Sequence, residues 1–369
     1  VEIMLVGHNW FLPEAPPRGQ HYERWFYADG HGPAKNAAYR AGQAAQSGAA
    51  QTWHSQLPPA WHNTTWTANR AIEWLKQRDN TPFCTWLSFP DPHPPFAAPD
   101  PWSRLHDPAD IDLPIHRTRD LADRPWWYQA TLEGEPEGSA ENAEIRRTFS
   151  RIPPQSDDQL REIIANTYGQ IALIDHNVGR ILIALAEAGL SENTYVIYIS
   201  DHGDWLGDHG LLLKGPMPFE GLLRVPLIVH GPGIKPDTVC AEPVSTLDLS
   251  PTFLEIAGAK PGLDQHGQSL IPLLQGQSKS RDCALSEWEL LPGRVGVGLS
   301  LRTVRAKTHK LTMDLRSNVG ELYDLQADPH ELTNLFDRPE VADIQRQLMA
   351  CMAQRPDDMA PIGTAVGTA

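Results

Sequence analysis

The sequence predicts an α/β protein: a mostly parallel central sheet flanked by helices, followed by a small C-terminal α+β subdomain with a short antiparallel sheet. Three observations predict it. PFCTWLSF (82–89), TYVIYIS (194–200) and PLIVHG (226–231) are short apolar, β-branched and aromatic runs that read as buried strands. A long helical repeat runs directly into the second of them, and strand, helix, strand is the grammar of a parallel sheet. After about residue 280 the pattern becomes SLRTVRA (300–306), HKLTMDL (309–315) and GELYDL (320–325), alternating and closely spaced as antiparallel strands are. We therefore place the main domain at 1–280 and the subdomain at 281–369.

Residues 1–60 are rich in Gly, Pro, Ala, Gln and Trp with poor periodicity, so they are expected to be mostly loop. Asn63 to Gln77 reads as a helix, with Trp66, Arg70/Ala71, Trp74 and Leu75 on one face. The strand at 82–89 is stopped by the stiff segment PDPHPPF. Residues 97–155 are Pro-rich and predict an irregular excursion. The long helix then starts at Asp157 or Asp158, either of which can cap it. Ile163/Ile164, Thr167, Ile171, Ile174, Val178, Ile181/Leu182 and Leu185 keep helical spacing, and Gly189 stops it. Pro339 to Gln354 predicts a final helix.

Lys and Arg number 31 against 46 Asp and Glu, a net charge of −15. That excludes the basic footprint needed to neutralise nucleic-acid phosphates, so no nucleic-acid partner is expected. It also argues against an anionic membrane surface, and no apolar run approaches a membrane span, so no membrane partner is expected. A small anionic substrate stays compatible if its site is locally positive. The four cysteines, Cys84, Cys240, Cys283 and Cys351, lack C-x-x-C spacing and are read as free thiols. The 12 Trp residues are read chiefly as packing, with stacking in a sugar or aromatic pocket as the alternative.

The chemistry concentrates in SDHGDWLGDHG (200–210). Asp201 and His202 follow a strand at its carboxyl end, where ligands of α/β sheets sit. Together they either coordinate a divalent cation or form a capped turn with a satisfied histidine. Gly203 lets the backbone turn away so that both side chains face one crevice. His93, stiffened by prolines just past the 82–89 strand, suits proton donation to a leaving group or a hydrogen bond to an oxyanion. The alternative is a loop histidine bonded to a carbonyl. If the two strands are parallel neighbours, both loops point into one crevice. Lys214, alone among apolar residues, either reaches to solvent or is held against an anion. Asp204, Asp208, His209 and Arg224 are assigned to loop-fixing hydrogen bonds and ion pairs.

SDHGDWLGDHGLLLKGPMPFEGLLRVPLIVHGPG resembles the metal and substrate segment of the sulfatase family, within the alkaline phosphatase superfamily. FCTWLSFPDPHPPFAAPDPW resembles the family's histidine segment. YGQIALIDHNVGRILIALAEAGLSENTYVIYISDHGD resembles its long helix and strand, and ELYDLQADPHELTNL its C-terminal signature. The similarity runs from about residue 60 to 340. It implies hydrolysis of a small anionic sulfate ester by a covalent mechanism with a divalent cation. Carried over by position, Asp201 and His202 match metal ligands, Lys214 the sulfate-binding lysine, and His93 the histidine near the leaving oxygen. Calcium is the family's usual metal. Many calcium-dependent members have Asn where His202 stands, and imidazole suits manganese or zinc better, which brings in phosphonate monoester hydrolases as the rival reading.

The resemblance also implies a formylglycine nucleophile made from C/S-x-P-x-R, paired N-terminal aspartates and a G-K-x-H segment. No such nucleophile motif occurs in these 369 residues. The expectation is therefore the larger, C-terminal part of a sulfatase, inactive on its own. Strands of the missing part would belong mid-sheet, so an exposed sheet edge is expected, covered by a homo-oligomer. A non-catalytic scaffold is the remaining alternative.

Overall fold

Parallel pairing organises the first of two compact units, as seen in a computed structural model that describes residues 2–7, 24–27, 43–55, 58–79, 81–119, 121–147, 151–260, 265–277 and 281–355. This unit takes its described residues from 1–113 and 155–194. Strands β1 (Glu2–Gly7), β2 (Arg24–Tyr27), β3 (Gln43–Ala44), β4 (Trp53–His54) and β5 (Phe83–Ser88) lie in it. The main sheet has order β2-β1-β5, all parallel, with β1 in register from Glu2 opposite Phe83 to Gly7 opposite Ser88. Residues 1–60 are thus not all loop. The run EIMLV, closed by Gly7, is a short apolar segment of the kind that fills the middle of a parallel sheet.

The helix Asn63–Lys76 forms as its apolar spacing predicts, with Ala68, Ala71, Trp74 and Leu75 buried. It packs against the helix Asp157–Glu187, whose Ile163 and Leu173 are fully buried. Neither Asp157 nor Asp158 caps that helix. Ser156 does: its hydroxyl accepts from the Gln159 N–H while the Gln159 side chain accepts from the Ser156 N–H. The two aspartates lie in the first turn, where they suit the helix dipole. Gly189, at φ 70°, ends the helix as expected.

Strand β5 differs from expectation in burial. Phe83 meets the edge of the Trp74 ring at 5.1 Å, whereas Trp86 on the opposite face is 68% exposed. Alternate residues of a strand face opposite sides. Among the described residues, only one side of β5 is covered.

The second unit takes its described residues from 114–154 and 195–361. Strands β6 (Val196–Ile199) and β7 (Leu227–His230) pair antiparallel, Ile199 opposite Leu227. All of β6 is half-buried and Ile228 is exposed, so these strands are not the fully buried ones expected. Among the described residues, β5 pairs with β1 and β6 pairs with β7. Strands β8 (Cys283–Leu290), β9 (Leu299–Ala306), β10 (His309–Asp314) and β11 (Val319–Asp324) form the antiparallel sheet, in order β11-β10-β9-β8. Three of its strands were expected; β8 was not.

This sheet is buried on both faces. Leu299 and Leu301 pack with Trp127, Tyr128, Trp205, Met217 and Phe219 on one side. On the other, Leu285, Val304, Leu311 and Leu322 stand in one cross-strand row under Leu348 and Met352 of the helix Ala342–Met352. The excursion expected at 97–155 is not wholly irregular, because the helix Trp126–Glu133 supplies Trp127 and Tyr128 to that core. No described helix is long and apolar enough to cross a membrane.

Candidate functional site

The loop after β6 is built by its own backbone. Asp201 Oδ1 accepts the His202 N–H at 2.9 Å, and the Ser200 hydroxyl donates to the His202 carbonyl at 2.9 Å. The Gly203 N–H donates to the Leu222 carbonyl at 2.8 Å, pinning the loop to the short helix Glu220–Leu223. Any side chain at Gly203 would bring its Cβ to 1.9 Å from the Gly221 carbonyl oxygen, so glycine is required by this approach.

Asp204 makes the loop-fixing bonds expected of it, and more. Its Oδ1 accepts the N–H of Leu206 at 2.9 Å and of Leu213 at 2.8 Å. Those two leucines hold φ of 45° and 69°, a left-handed conformation that non-glycine residues rarely adopt. One half-buried carboxylate thus secures both strained turns. Burial pushes its pKa up to about 6, with the two N–H donors and Lys214 pulling the other way.

Closing the loop in this way sets Lys214, the residue after Leu213, against His202. The His202 Nδ1 lies 2.8 Å from the Gly203 carbonyl, a pure acceptor, so Nδ1 carries the proton. Nε2 is then the lone-pair nitrogen, and it accepts from Lys214 Nζ at 3.0 Å. Asp201 Oδ2 stands 3.5 Å from the same Nε2. The Asp201 side chain is 79% exposed. Asp201, His202 and Lys214 therefore come together, as one open cluster.

Lys310, Glu331 and Arg124, which the sequence reading did not single out, support this loop, together with His209, which it assigned to loop-fixing bonds. Lys310 is 1% exposed, donates to the Pro218 carbonyl at 2.6 Å and pairs with Glu331. Glu331 in turn accepts the Glu220 N–H at 2.7 Å. Arg124 donates to the Tyr323 hydroxyl at 2.6 Å and the Glu331 carbonyl at 2.9 Å, and contacts His209 Nδ1 at 3.2 Å. His209 stacks on Phe219 at 3.7 Å between centroids, and its N–H donates to the His116 carbonyl at 2.7 Å. Burial, with the nearby Arg124 cation second, drives the His209 pKa down to about 3, so its ring is neutral. A lysine inside the alternating pattern of HKLTMDL was the one available signal.

His93 belongs to the first unit. Its N–H donates to the Pro90 carbonyl at 3.0 Å, and its Nδ1–H to the Pro94 carbonyl at 2.8 Å, leaving Nε2 as the basic nitrogen. The neighbouring Asp91 holds the segment in place: Oδ2 takes the Thr64 hydroxyl and lies 3.4 Å from His62 Nδ1, while Oδ1 takes Gln170 Nε2 at 3.3 Å. The stiffness expected of the prolines is reinforced by this clamp onto two helices.

The sulfatase family profile matches residues 18–259, and that of the N-sulphoglucosamine sulphohydrolase C-terminal region matches residues 207–358. The chain belongs to the sulfatase family. Among curated relatives, it is 30% identical over 286 residues to an arylsulfatase of Clostridium perfringens, covering 76% of this chain and 54% of that protein. It is 28% identical over 291 residues to a Δ4,5-hexuronate-2-O-sulfatase of Bacteroides thetaiotaomicron, covering 75% and 57%. This sulfatase-family chain thus spans about half the length of the curated relatives it matches. Among solved structures, the phosphonate monoester hydrolase of Agrobacterium radiobacter superposes with a TM-score of 0.72 at 25% identity, covering 96% of this chain and 78% of that one. An enzyme in complex with its substrate D-glucosamine-2-N,6-O-disulfate shares the fold at a TM-score of 0.71 and 20% identity, covering 95% and 78%.

Among the described residues, no group of three or more His, Cys, Asp or Glu side chains is placed to hold a metal ion. Asp201 and His202 are two such donors. Oδ2 and Nε2 lie 3.5 Å apart and the carbonyl bond at Nδ1 orients the ring as in metal-binding histidines, so the two side chains would supply ligands to a cation that takes the Nε2 lone pair in place of Lys214 Nζ. The pair fits part of a metal shell. For formylglycine there is no fit, since no residue here stands in the required motif.

Proposed function

We propose that this chain carries the sulfate-holding side of a sulfuric ester hydrolase, and that its natural substrate is a small sulfate ester. The observation that carries this reading is the contact of Lys214 Nζ with the lone pair of His202 Nε2, beside Asp201. An ammonium group in that place neutralises the oxygens of a tetrahedral anion. Asp201 and His202 would hold a divalent cation, calcium by family habit, or manganese or zinc as the imidazole favours. When bound, such a cation supplies a Lewis acid to the same oxygens. From the family resemblance alone we also propose His93 as proton donor to a departing alkoxide, a role for which its bond to the Pro94 carbonyl fixes the ring.

No step is assigned to a nucleophile within residues 1–369, and we propose that these residues alone leave a sulfate ester uncleaved. A second reading, hydrolysis of phosphonate monoesters, is supported by the Agrobacterium likeness and by the imidazole at position 202. Assays of the longest natural form of the protein on an aryl sulfate and a phosphonate monoester separate them. Sulfate ester hydrolysis predicts the higher kcat/KM on the sulfate. A higher value on the phosphonate would favour the second reading. Turnover of neither would point to a binding scaffold.

A further inference from the structure

Gln170 brackets His93. It lies on the helix Asp157–Glu187 and is 1% exposed. Its Nε2 donates to Asp91 Oδ1 at 3.3 Å and to the Pro95 carbonyl at 3.2 Å, so one amide grips the chain on both sides of the histidine. Both partners are acceptors, which fixes the amide with its NH2 group toward them. The residue before it explains the reach. A Cβ at Gly169 would stand 2.5 Å from the Trp102 carbonyl oxygen, so glycine lets the helix come close to the segment that follows the loop.

The sequence of the loop makes such a grip necessary. Four of the six residues in PDPHPP (90–95) are prolines, which have no N–H to donate. The segment is therefore anchored through its carbonyls and the Asp91 carboxylate, and both need donors from outside. Gln170 supplies one to each. The grip also reaches the ring. His93 Nδ1 lies 2.8 Å from the Pro94 carbonyl, and that carbonyl sits in the peptide that enters Pro95. Beyond Pro95, the Phe96 N–H donates to the Gln51 carbonyl at 2.8 Å and the Phe96 carbonyl accepts from the Trp53 N–H at 3.1 Å.

We propose, resting on the proton-donor role given to His93 above, that Gln170 is its positioning residue: it sets the Pro94 carbonyl that holds the imidazole in its Nδ1–H form, and so aims Nε2. A general acid acts only when its donor nitrogen faces the departing oxygen. A shift of about one ångström is enough to lose much of that effect.

The test uses the longest natural form of the protein and two readouts. NMR of the imidazole nitrogens reports the tautomer of His93. In the wild type the proton should sit on Nδ1. In Gln170→Met, which keeps the length and loses both bonds, the Nε2–H form should rise to a comparable share. Kinetics on phenyl sulfate and nitrophenyl sulfate report the acid, because the poorer leaving group, phenol, depends on it more. His93→Ala should lose roughly a hundredfold in kcat/KM on phenyl sulfate and far less on the nitrophenyl ester. Gln170→Met should lose about tenfold on phenyl sulfate, little on the nitrophenyl ester, and nothing further when added to His93→Ala. Asp91→Ala, which loosens one flank, should give the same pattern at smaller size and serves if Gln170→Met does not fold. An unchanged tautomer in Gln170→Met, or equal losses on both esters with circular dichroism reporting a folded chain, overturns the positioning role alone. Equal losses on both esters in His93→Ala remove the donor role itself, and the positioning role with it. If the wild type cleaves neither ester, the tautomer decides.

Discussion

Lys310 reaches out of β10 and donates from Nζ to the carbonyl of Pro218 at 2.6 Å, with its other partner, Glu331, also buried. A lysine so placed is bearable only because its charge is paired and its protons are used. Burial raises the Glu331 pKa to about 7, against the pull of Lys310. Replacing Lys310→Met should therefore cost about 3–5 kcal/mol in denaturant unfolding, since it strands a buried carboxylate. The double replacement Lys310→Met/Glu331→Gln should recover a good part of that loss. A single variant as stable as the wild type would contradict the pairing.

Asp204 gives a pH dependence of known sign. Its folded pKa of about 6 lies above the unfolded value of 3.8, so folding favours the protonated form. That contribution is fully present below 3.8 and is lost as the pH rises through about 6. Asp204→Asn does not ionise. The stability of wild type relative to this variant should rise by about 3 kcal/mol as the pH falls across that interval. A difference independent of pH would mean that the carboxylate is not desolvated.

His209 should act in the opposite sense. Its pKa falls from 6.5 in the unfolded chain to about 3 in the fold, so its contribution is complete above 6.5 and drains away on acidification toward 3. His209→Gln should flatten the acid limb of the stability profile. In NMR titrations of the folded wild type, the His209 ring signals should stay constant through pH 6.5.

Lys214 bears on turnover. In the longest natural form of the protein, Lys214→Ala should lower kcat/KM for a sulfate ester roughly a hundredfold to a thousandfold, the usual scale for removing one preorganised donor. Lys214→Arg should restore part of it. Unchanged kinetics in the alanine variant would remove this residue from the site.

Ser156 is a local test. Ser156→Ala deletes one half of a reciprocal cap and should cost about 1 kcal/mol, with Ser156→Asp nearly neutral.

Much of this was legible because local chemistry decided it. The helix at Asn63, the end at Gly189 and three antiparallel strands follow from periodicity and stop signals. The clustering of Asp201, His202 and Lys214 was foreshadowed by their types and order. What escaped was set by tertiary contact. Ser156 wins the cap over Asp157 by one residue, which composition does not resolve. Trp86 has the composition of a buried residue and lies exposed, because coverage of a strand face depends on elements distant in sequence. Lys310 and Glu331 sit about a hundred residues beyond the loop they hold; nothing local to SDHGDWLGDHG announces them.

The route from Lys310 and Glu331 to Pro218 and Glu220, and from Leu222 to Gly203, makes the His202–Lys214 loop a tenant of the antiparallel sheet. Transplanting residues 200–214 into another scaffold would leave behind the anchor that shapes them. Directed evolution of the loop should yield compensating changes around residues 310 and 331. Recombination breakpoints between residue 224 and residue 300 should be poorly tolerated, even though no substrate-facing residue is proposed there.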